Sequence, residues 1–417
     1  MSERTRTITG EAEVLTLYRR HLSTGRAALA QLMGSVVEVA SGGAWVRAAD
    51  GRRYLDFGGY GVFILGHRHP RVVAAVQRQL DTHPLATRVF LEPVAARAAQ
   101  ALAGVAPPGL DHVHFVNSGT EATEAALKLA RAHGRTALVS ARNGFHGKTL
   151  GALSITGNPL YQKPFGPLLG DVVHVGYGDA AELRAAVAAR PGRACVVLEP
   201  VQGEGGVVLP PAGYLTAVAE ACREHGALLV VDEIQTGLGR LGSWWGVDAE
   251  GVVPDILLAG KGLSGGVVPV AALLARADVY APFGRDPFLH SSTFGASPLA
   301  CAAALAAVQT LREDGLIARA AELGERILAG VGEVCRRHPT LIAEVRGRGL
   351  LIGLEFADQA AVGEVALELI DRGVLVNHSL NAARVLRLTP PAVLDTGDVD
   401  LFLTALDSAL GAAEARL

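Results

Sequence analysis

Two short apolar runs in this sequence each lead to a charged side chain. Ala227–Val231 is followed by Asp232, and Ile256–Ala259 is followed, one glycine later, by Lys261. Continuous Leu- or Val-rich runs of this length are typical of buried strands in a parallel sheet. Ligands of open α/β sheets bind beyond the carboxyl ends of the strands, so we expect both charges at one functional edge. A lysine and a carboxylate so placed match pyridoxal phosphate (PLP), which needs a Schiff-base lysine and an acid for its pyridinium nitrogen.

Each of these two residues also has a structural interpretation. A strand-terminal aspartate often caps the next helix, and a lysine at a strand end can be exposed to water. In the functional interpretation, Asp232 keeps the pyridine nitrogen protonated, because an adjacent anion favours the charged form. Partial burial of Lys261 would lower its pKa and leave a neutral amine that attacks an aldehyde. The pair alone favours the cofactor hypothesis without deciding it.

A possible phosphate site precedes the first long helix of the αβ region. Ser118, Gly119 and Thr120 lie between a predicted strand, 112–116, and a predicted helix that reaches about residue 132. Free N–H groups at a helix start favour an anion. Ser118 and Glu121 also have the spacing of a capping box, which is the simpler interpretation of this motif taken alone. A Walker-type GxxxxGK[ST] loop is absent from the sequence.

Composition excludes several other classes of function. The chain has 417 residues and a formal net charge of −3, so no basic excess indicates binding to nucleic acid or to an anionic membrane. The longest apolar stretches, such as 265–275, are too short to span a bilayer, and the N-terminus lacks the apolar core of a secretory signal. We therefore expect a cytoplasmic protein. We predict no metal site, because His67 and His69 lack a third ligand nearby and the four cysteines form no CxxC pair.

The pattern of elements predicts an α/β fold in which a large domain with a mostly parallel, doubly wound sheet is followed by a smaller α+β domain. Helical periodicity covers the chain to about residue 33, and Asp50-Gly51 predicts a hairpin. We expect an N-terminal segment (1–57) that contributes to the small domain, a large domain (58–298) and a C-terminal small domain (299–417). The predicted strands of the large domain are 112–116, 136–140, 172–175, 194–198, 227–231, 256–259 and 268–275, with helices that include 180–189 and 211–224.

Seven ordered segments resemble the class III, or ω-type, aminotransferases of PLP fold type I. They are FVNSGTEATEAALKLAR (115–131), NGFHGKTLGALSITG (143–157), LEPVQGEGG (198–206), VVDEIQTGLGR (230–240), GKGLSGG (260–266), STFGASPLACAAALA (292–306) and VRGRGLLIGLEF (345–356). One departure is local: the family's usual TFGGNP reads TFGASP at 293–298, although Thr293 itself is retained.

The resemblance implies a role for most of these residues. Lys261 would hold PLP as a Schiff base and shuttle a proton, Asp232 would pair with the pyridinium nitrogen, and Gln235 would contact the ring oxygen. Phe145 would stack on the ring with His146 beside it. The remaining implied cofactor contacts are the phosphate ligands Ser118, Gly119 and Thr120, the supporting Glu199, and Thr293, which would reach the phosphate of a neighbouring subunit. This last contact implies a homodimer with sites at its interface, and a tetramer made of two such dimers is the alternative.

The resemblance also names substrate-binding positions. Arg387 matches the arginine that binds a substrate carboxylate, and Glu204 matches the glutamate that pairs with it when no carboxylate is present. Such a switch lets one pocket accept an amine and then a 2-oxo acid, because the buried arginine is never left unpaired. An ordinary strand arginine with a solvated partner is the alternative. Tyr60 and Val62 would line the substrate end of the pocket.

Within the family, segments 83–93, 161–170 and 374–391 are most similar to putrescine and related diamine aminotransferases. This similarity implies transfer of a terminal amino group from a diamine or ω-amino acid to 2-oxoglutarate or pyruvate. Alternatives are an acetylornithine-, ornithine- or 4-aminobutyrate-type aminotransferase, or a PLP aminomutase, epimerase or decarboxylase on the same fold. A nucleotide- or anion-binding protein without PLP is the alternative from a different functional class.

Overall fold

The computed structural model describes residues 10–416, within which the chain forms fifteen β-strands and fourteen α-helices. The strands are β1 (Glu38–Gly42), β2 (Trp45–Ala48), β3 (Arg53–Asp56), β4 (His112–Val116), β5 (Ala137–Ala141), β6 (Val172–Val175), β7 (Ala194–Leu198), β8 (Leu228–Asp232), β9 (Ile256–Ala259), β10 (Ala271–Ala275), β11 (Ile342–Arg348), β12 (Leu351–Phe356), β13 (Val374–Leu375), β14 (Asn377–Ser379) and β15 (Ala382–Leu388). The helices are α1 (Glu11–Leu17), α2 (Thr24–Leu32), α3 (Pro70–Thr82), α4 (Pro93–Ala103), α5 (Gly119–Ala132), α6 (Leu150–Ile155), α7 (Pro159–Gln162), α8 (Ala180–Ala188), α9 (Tyr214–His225), α10 (Ala277–Arg285), α11 (Pro298–Glu313), α12 (Leu316–Cys335), α13 (Gln359–Asp371) and α14 (Thr396–Glu414).

A seven-stranded sheet forms the centre of the molecule, in the order β4-β10-β9-β8-β7-β5-β6. All neighbouring strands from β9 to β6 are parallel, and β10 runs antiparallel to both β9 and β4. Side chains of β8 alternate between two apolar clusters, with Leu229 and Val231 in one and Leu228 and Val230 in the other. Both faces are therefore buried, as the continuous apolar runs predicted. The mostly parallel α/β fold is confirmed.

Two smaller four-stranded sheets complete the fold. The first joins the hairpin β2–β3, whose turn is the predicted Asp50-Gly51, to β13 near the other end of the chain. The second, in the order β11-β12-β15-β14, is antiparallel and carries Arg387 on β15. The N-terminal strands thus share a sheet with a late strand, while the domain boundaries at residues 58 and 299 stay a prediction.

Some predicted elements differ from the observed ones for local reasons. The strand predicted over 268–275 begins at Ala271, because Pro269 has no N–H for the sheet. The helix predicted from residue 211 begins at Tyr214, after Gly213 adopts a left-handed φ of 80°. Helix α10 was not predicted, since Pro282 lies inside it. The helical prediction for residues 1–9 lies outside the described residues.

Among the helices formed by residues 10–416, none combines the length and apolar character that crossing a membrane requires.

Candidate active site

The residues that follow three neighbouring parallel strands meet in one cleft. Glu199 follows β7, Asp232 ends β8, and Lys261 comes two residues after β9. Strand β8 is parallel to both β7 and β9, and Asp232 is in register with Leu258. All three residues line a cleft of about 360 Å³. The carboxyl edge of the sheet thus brings a lysine and two carboxylates together, as expected for a ligand site in an open α/β sheet.

Lys261 begins a short 3₁₀ turn with an unusual φ of 40°. Its burial lowers the pKa of the ammonium, Glu204 acts in the opposite direction, and Arg387 adds to the lowering. Gly61 lies against this side chain: a Cβ at position 61 would be 3.5 Å from Lys261 Cδ. The amine is therefore held in a protein environment that favours its neutral, nucleophilic form.

The Asp232 carboxylate is buried and has two protein partners. Its Oδ2 lies 2.8 Å from Nδ1 of the buried His146, and its Oδ1 accepts a hydrogen bond from the Ile234 N–H at 3.1 Å. Burial lowers the pKa of His146, but the hydrogen bond and charge of Asp232, together with the charge of Glu199, outweigh it, so the net shift is upward. The helix-capping alternative for Asp232 is wrong, because β8 is followed by turns and no helical segment begins before Gly246; the bond to Ile234 closes one of these turns. The pairing of Asp232 with a buried imidazole exceeds what a simple cap requires.

Glu199 connects the sheet to the loop that carries Phe145. Its two carboxylate oxygens accept hydrogen bonds from the Phe145 N–H at 3.0 Å and the Gly203 N–H at 3.1 Å. Burial raises the pKa of Glu199 to about 7, and the neighbouring His146 opposes that rise. Glu199 therefore supports the position of Phe145 on the cleft wall.

The start of α5 forms a cradle for an anion. The Ser118 hydroxyl caps the helix by accepting from the Glu121 N–H, at 3.4 Å. The Glu121 carboxylate bonds the Asn117 N–H at 2.8 Å and not that of Ser118, so only half of the predicted capping box forms. Gly119 and Thr120 line the cleft. A side chain at Gly119 would meet Ile234, because its Cβ would lie 2.7 Å from Ile234 Cδ1.

The cleft has a complementary group for each polar part of pyridoxal phosphate. The helix start suits a phosphate, Asp232 suits a protonated ring nitrogen, and Lys261 suits an aldehyde. Gln235 supplies a further donor, since its buried Nε2 has no acceptor in the described structure. An unpartnered buried amide is unusual in a native protein and indicates a ligand at this position. The residues present therefore fit the cofactor.

Glu204 and Arg387 form a buried ion pair next to the cleft. Arg387 Nη1 lies 2.6 Å from Glu204 Oε1, and the arginine side chain is only 1% exposed. The N–H groups of Arg387 Nε and Nη1 nevertheless point at no well-aligned acceptor. The guanidinium thus keeps hydrogen-bonding capacity for a carboxylate.

The remaining predicted residues lie around the cleft. Val62 and Ser118 line an adjoining cavity of about 340 Å³ that shares Gly119 and Lys261 with the cleft. Tyr60, with a left-handed φ of 51°, is 59% exposed, and Thr293 is also exposed. Neither Tyr60 nor Thr293 is part of the cleft wall of this single chain.

Sequence reasoning missed Lys148, which lines the cleft. Its ammonium lies 4.3 Å from the centre of the Tyr161 ring and 6.0 Å from that of Phe145. These distances are typical of cation–π contacts. Lys148 follows Phe145 by three residues, so its position within the same loop was the available signal.

Comparison with known proteins identifies the family. A family model described as aminotransferase class-III matches residues 29–410. The chain belongs to the class III aminotransferases. It is a PLP-dependent transaminase, and pyridoxal phosphate is its cofactor.

Solved structures of transaminases are similar over nearly the whole chain. An ornithine aminotransferase from Toxoplasma gondii ME49 is 34% identical with a TM-score of 0.91, and the match covers 99% of this chain and 97% of that one. An (S)-enantioselective ω-transaminase from Thermomicrobium roseum is 29% identical with a TM-score of 0.89, covering 96% and 98%. An amine transaminase from an uncultivated Pseudomonas species, solved with PLP bound, is 30% identical with a TM-score of 0.82, covering 91% and 95%. PLP fold type I is thereby confirmed.

Proposed function

We propose that this class III aminotransferase moves the terminal amino group of a diamine or ω-amino acid to a 2-oxo acid such as 2-oxoglutarate or pyruvate. The observation that carries the proposal is the buried Glu204–Arg387 pair beside the cleft of Lys261. A pocket that must accept both an amine without a nearby carboxylate and a 2-oxo acid needs an arginine that can be either paired or free. The similarity of segments 83–93, 161–170 and 374–391 to diamine aminotransferases supports a putrescine-like donor.

In this proposal Lys261 and Asp232 are the catalytic residues. Bound pyridoxal phosphate supplies a protonated ring that accepts the electron pair released at the substrate carbon. Asp232, oriented by His146, would keep the ring nitrogen charged, and Gln235 would donate its free N–H to the ring oxygen. Lys261 would hold the cofactor through its amine, and its Nζ would be the base that takes up the proton from the carbon that bears the amino group and carries it within the site. Its lowered pKa suits this exchange, because a neutral amine is the base.

The other cofactor contacts hold and cover the ring. Ser118, Gly119 and Thr120 would hold the phosphate at the start of α5, and Phe145, positioned by Glu199, would cover the ring. Thr293 would reach the phosphate held by a second copy of the chain. The site then lies at a homodimer interface, and two dimers can pair into a tetramer. Exposed apolar side chains around this region support the dimer, among them Val89, Phe90, Leu91, Phe288 and Phe294.

Arg387 determines which half-reaction the pocket accepts. With an amine donor, Glu204 neutralises the guanidinium and the far end of the substrate lies near Tyr60 and Val62. With a 2-oxo acid, the substrate carboxylate takes the place of Glu204 on Arg387. In neither state is a buried charge left without a partner, which avoids a penalty of several kcal/mol.

Of the two donor classes in this proposal, Lys148 favours the ω-amino acid, such as ornithine or 4-aminobutyrate. Its ammonium lines the cleft and lies within 4 Å of no carboxylate in the described residues. A fixed cation attracts a distal carboxylate and repels the second ammonium of a diamine. Similarity to the Toxoplasma gondii ornithine aminotransferase also supports this donor class.

A panel of donors tests the proposal. The PLP form is mixed separately with putrescine, ornithine, N-acetylornithine and 4-aminobutyrate, and loss of its visible absorbance is followed. We expect stoichiometric conversion by the amine alone, with putrescine fastest, and recovery of the absorbance on adding 2-oxoglutarate or pyruvate. Faster conversion by ornithine or 4-aminobutyrate would transfer the assignment to the ω-amino acid. Conversion by none of the donors, or products of decarboxylation or epimerisation, would contradict the proposal.

A further inference from the structure

A tight turn of the small sheet holds Glu204 at two points. The turn Ser379–Ala382 joins β14 to β15, the strand that carries Arg387. Its Leu380 N–H donates to Glu204 Oε2 at 2.9 Å, and its Asn381 N–H donates to the main-chain oxygen of Glu204, also at 2.9 Å. The Glu204 carboxylate thus has two protein partners, Arg387 on one oxygen and Leu380 on the other.

The Asn381 side chain fixes this turn to the loop that carries Phe145. Its Nδ2 donates to the main-chain oxygens of Asn143 at 2.9 Å and Gly144 at 3.2 Å. Its Oδ1 accepts from Asn158 Nδ2 at 2.9 Å. The amide therefore uses both of its ends to bridge the small sheet and the cleft wall.

We propose that Asn381 is a positioning residue that keeps the Leu380 N–H in place as the pivot of Glu204, and so sets how readily Arg387 is released to a substrate carboxylate. This inference rests on the proposed function, in which Glu204 leaves Arg387 when a 2-oxo acid binds. Of its two present partners, Arg387 and the Leu380 N–H, the Glu204 carboxylate then keeps only the Leu380 N–H. A buried carboxylate without any partner is strongly unfavourable, so the Leu380 N–H stabilises the open state, in which Glu204 has left Arg387, more than the closed one.

The proposal predicts a selective defect in carboxylate binding. In Asn381→Ala the turn loses its anchor and the pivot weakens. We expect KM for 2-oxoglutarate and the Kd of glutarate, a non-reacting dicarboxylate measured by calorimetry, to rise roughly tenfold. The half-reaction with the preferred amine should change by less than about twofold, since Glu204 remains on Arg387 in that state. His378→Ala, an exposed position on the same hairpin, is the matched control and should leave all three quantities unchanged.

A double-mutant cycle with Glu204→Ala separates this role from a general structural one. If Asn381 acts through Glu204, Asn381→Ala has no effect on glutarate binding in the Glu204→Ala background. An equal loss in both backgrounds, or no loss in either, would overturn the proposal. Asn381→Ser, whose side chain is too short to bridge, gives the same comparison should the alanine variant be unstable. A wild-type enzyme that converts no amine or 2-oxo acid contradicts the proposed function, whereas an active wild type with an unchanged variant contradicts only this inference.

Discussion

The two walls of the cleft are built differently. On the cofactor wall, Glu199, Asp232 and Lys261 follow neighbouring parallel strands, and the two carboxylates are held in the interior by hydrogen bonds such as those of 3.0 Å to Phe145 and 2.8 Å to His146. We use the name substrate wall for the side on which we propose that the substrate binds, where Val62 lines the adjoining cavity and the neighbouring Glu204 and Arg387 meet through one ion pair. The first wall has a fixed geometry, whereas in the proposed function the ion pair of the second is replaced by the substrate carboxylate. We infer that the sheet determines the chemistry and the loops and small sheet determine the substrate.

The largest effect should follow a change on the cofactor wall. Asp232→Asn keeps the shape but removes the charge that would hold the ring nitrogen protonated. We expect kcat to fall by roughly 10²–10³-fold, as for other preorganised electrostatic groups, with PLP still bound by absorbance. The matched control is Glu233→Gln, at the adjacent buried carboxylate outside the cleft, which should leave kcat unchanged. A similar loss of kcat in both variants would contradict the assignment of a catalytic role to Asp232 and not to Glu233.

The buried carboxyl of Glu233 should make the stability of the protein depend on pH. Burial raises the pKa of Glu233 to about 7 from its usual 4.5, against hydrogen bonds from Thr236 and Val247. The folded state holds the proton more tightly, so the free energy of unfolding falls as pH rises from about 4.5 through 7 and is constant above. In Glu233→Gln this fall, on the order of 3 kcal/mol, should be absent.

Urea unfolding of both proteins at pH 5 and pH 8 measures the Glu233 effect. Parallel pH dependence in wild type and variant would show that Glu233 ionises normally in the folded state.

A change on the substrate wall should affect one half-reaction only. Arg387→Met is expected to raise KM for 2-oxoglutarate roughly 10- to 100-fold, the usual loss for charge-assisted hydrogen bonds, while the rate with putrescine changes little. Arg384→Met, an exposed arginine of the same strand, is the control. An equal defect in both half-reactions would mean that Arg387 has a structural role common to both.

The smallest effect is expected at Lys148, which is exposed at the edge of the cleft. Lys148→Met should raise KM for 4-aminobutyrate about fivefold and leave that for putrescine unchanged or lower, because an exposed charge contributes up to about 1 kcal/mol. Lys163→Met serves as the control lysine outside the cleft. Equal changes for both donors would argue that Lys148 contacts no distal carboxylate.

The two walls also differ in how far the sequence predicts them. Asp232 and Lys261 follow apolar runs whose pattern predicts parallel strands. Because ligands of open α/β sheets bind beyond the carboxyl ends of the strands, this pattern also predicts that the two residues lie close together. Glu204 and Arg387 lie far apart in the chain, and their pairing was expected only from the family resemblance. Asn381 was not predicted at all, because its role depends on contacts with residues more than two hundred positions away.

The buried Arg240 is a second example of a position that the sequence alone does not predict. Arg240 lies in the interior, where burial lowers its pKa to about 9, and it donates to the main-chain oxygens of Leu350 at 3.1 Å and Pro390 at 2.5 Å. Nothing local in LGRLG distinguishes this arginine from an exposed one. Its position depends on two segments that are distant in sequence, which only the assembled fold brings together.

Reduction by borohydride tests the central claim, that Lys261 faces the cofactor across from Asp232, most directly. The holoenzyme is reduced, digested and analysed by mass spectrometry for the lysine that carries the pyridoxyl group. We predict a single modified site at Lys261, and no modification in Lys261→Ala under the same conditions. A pyridoxyl group on any other lysine, or on none, would contradict the account.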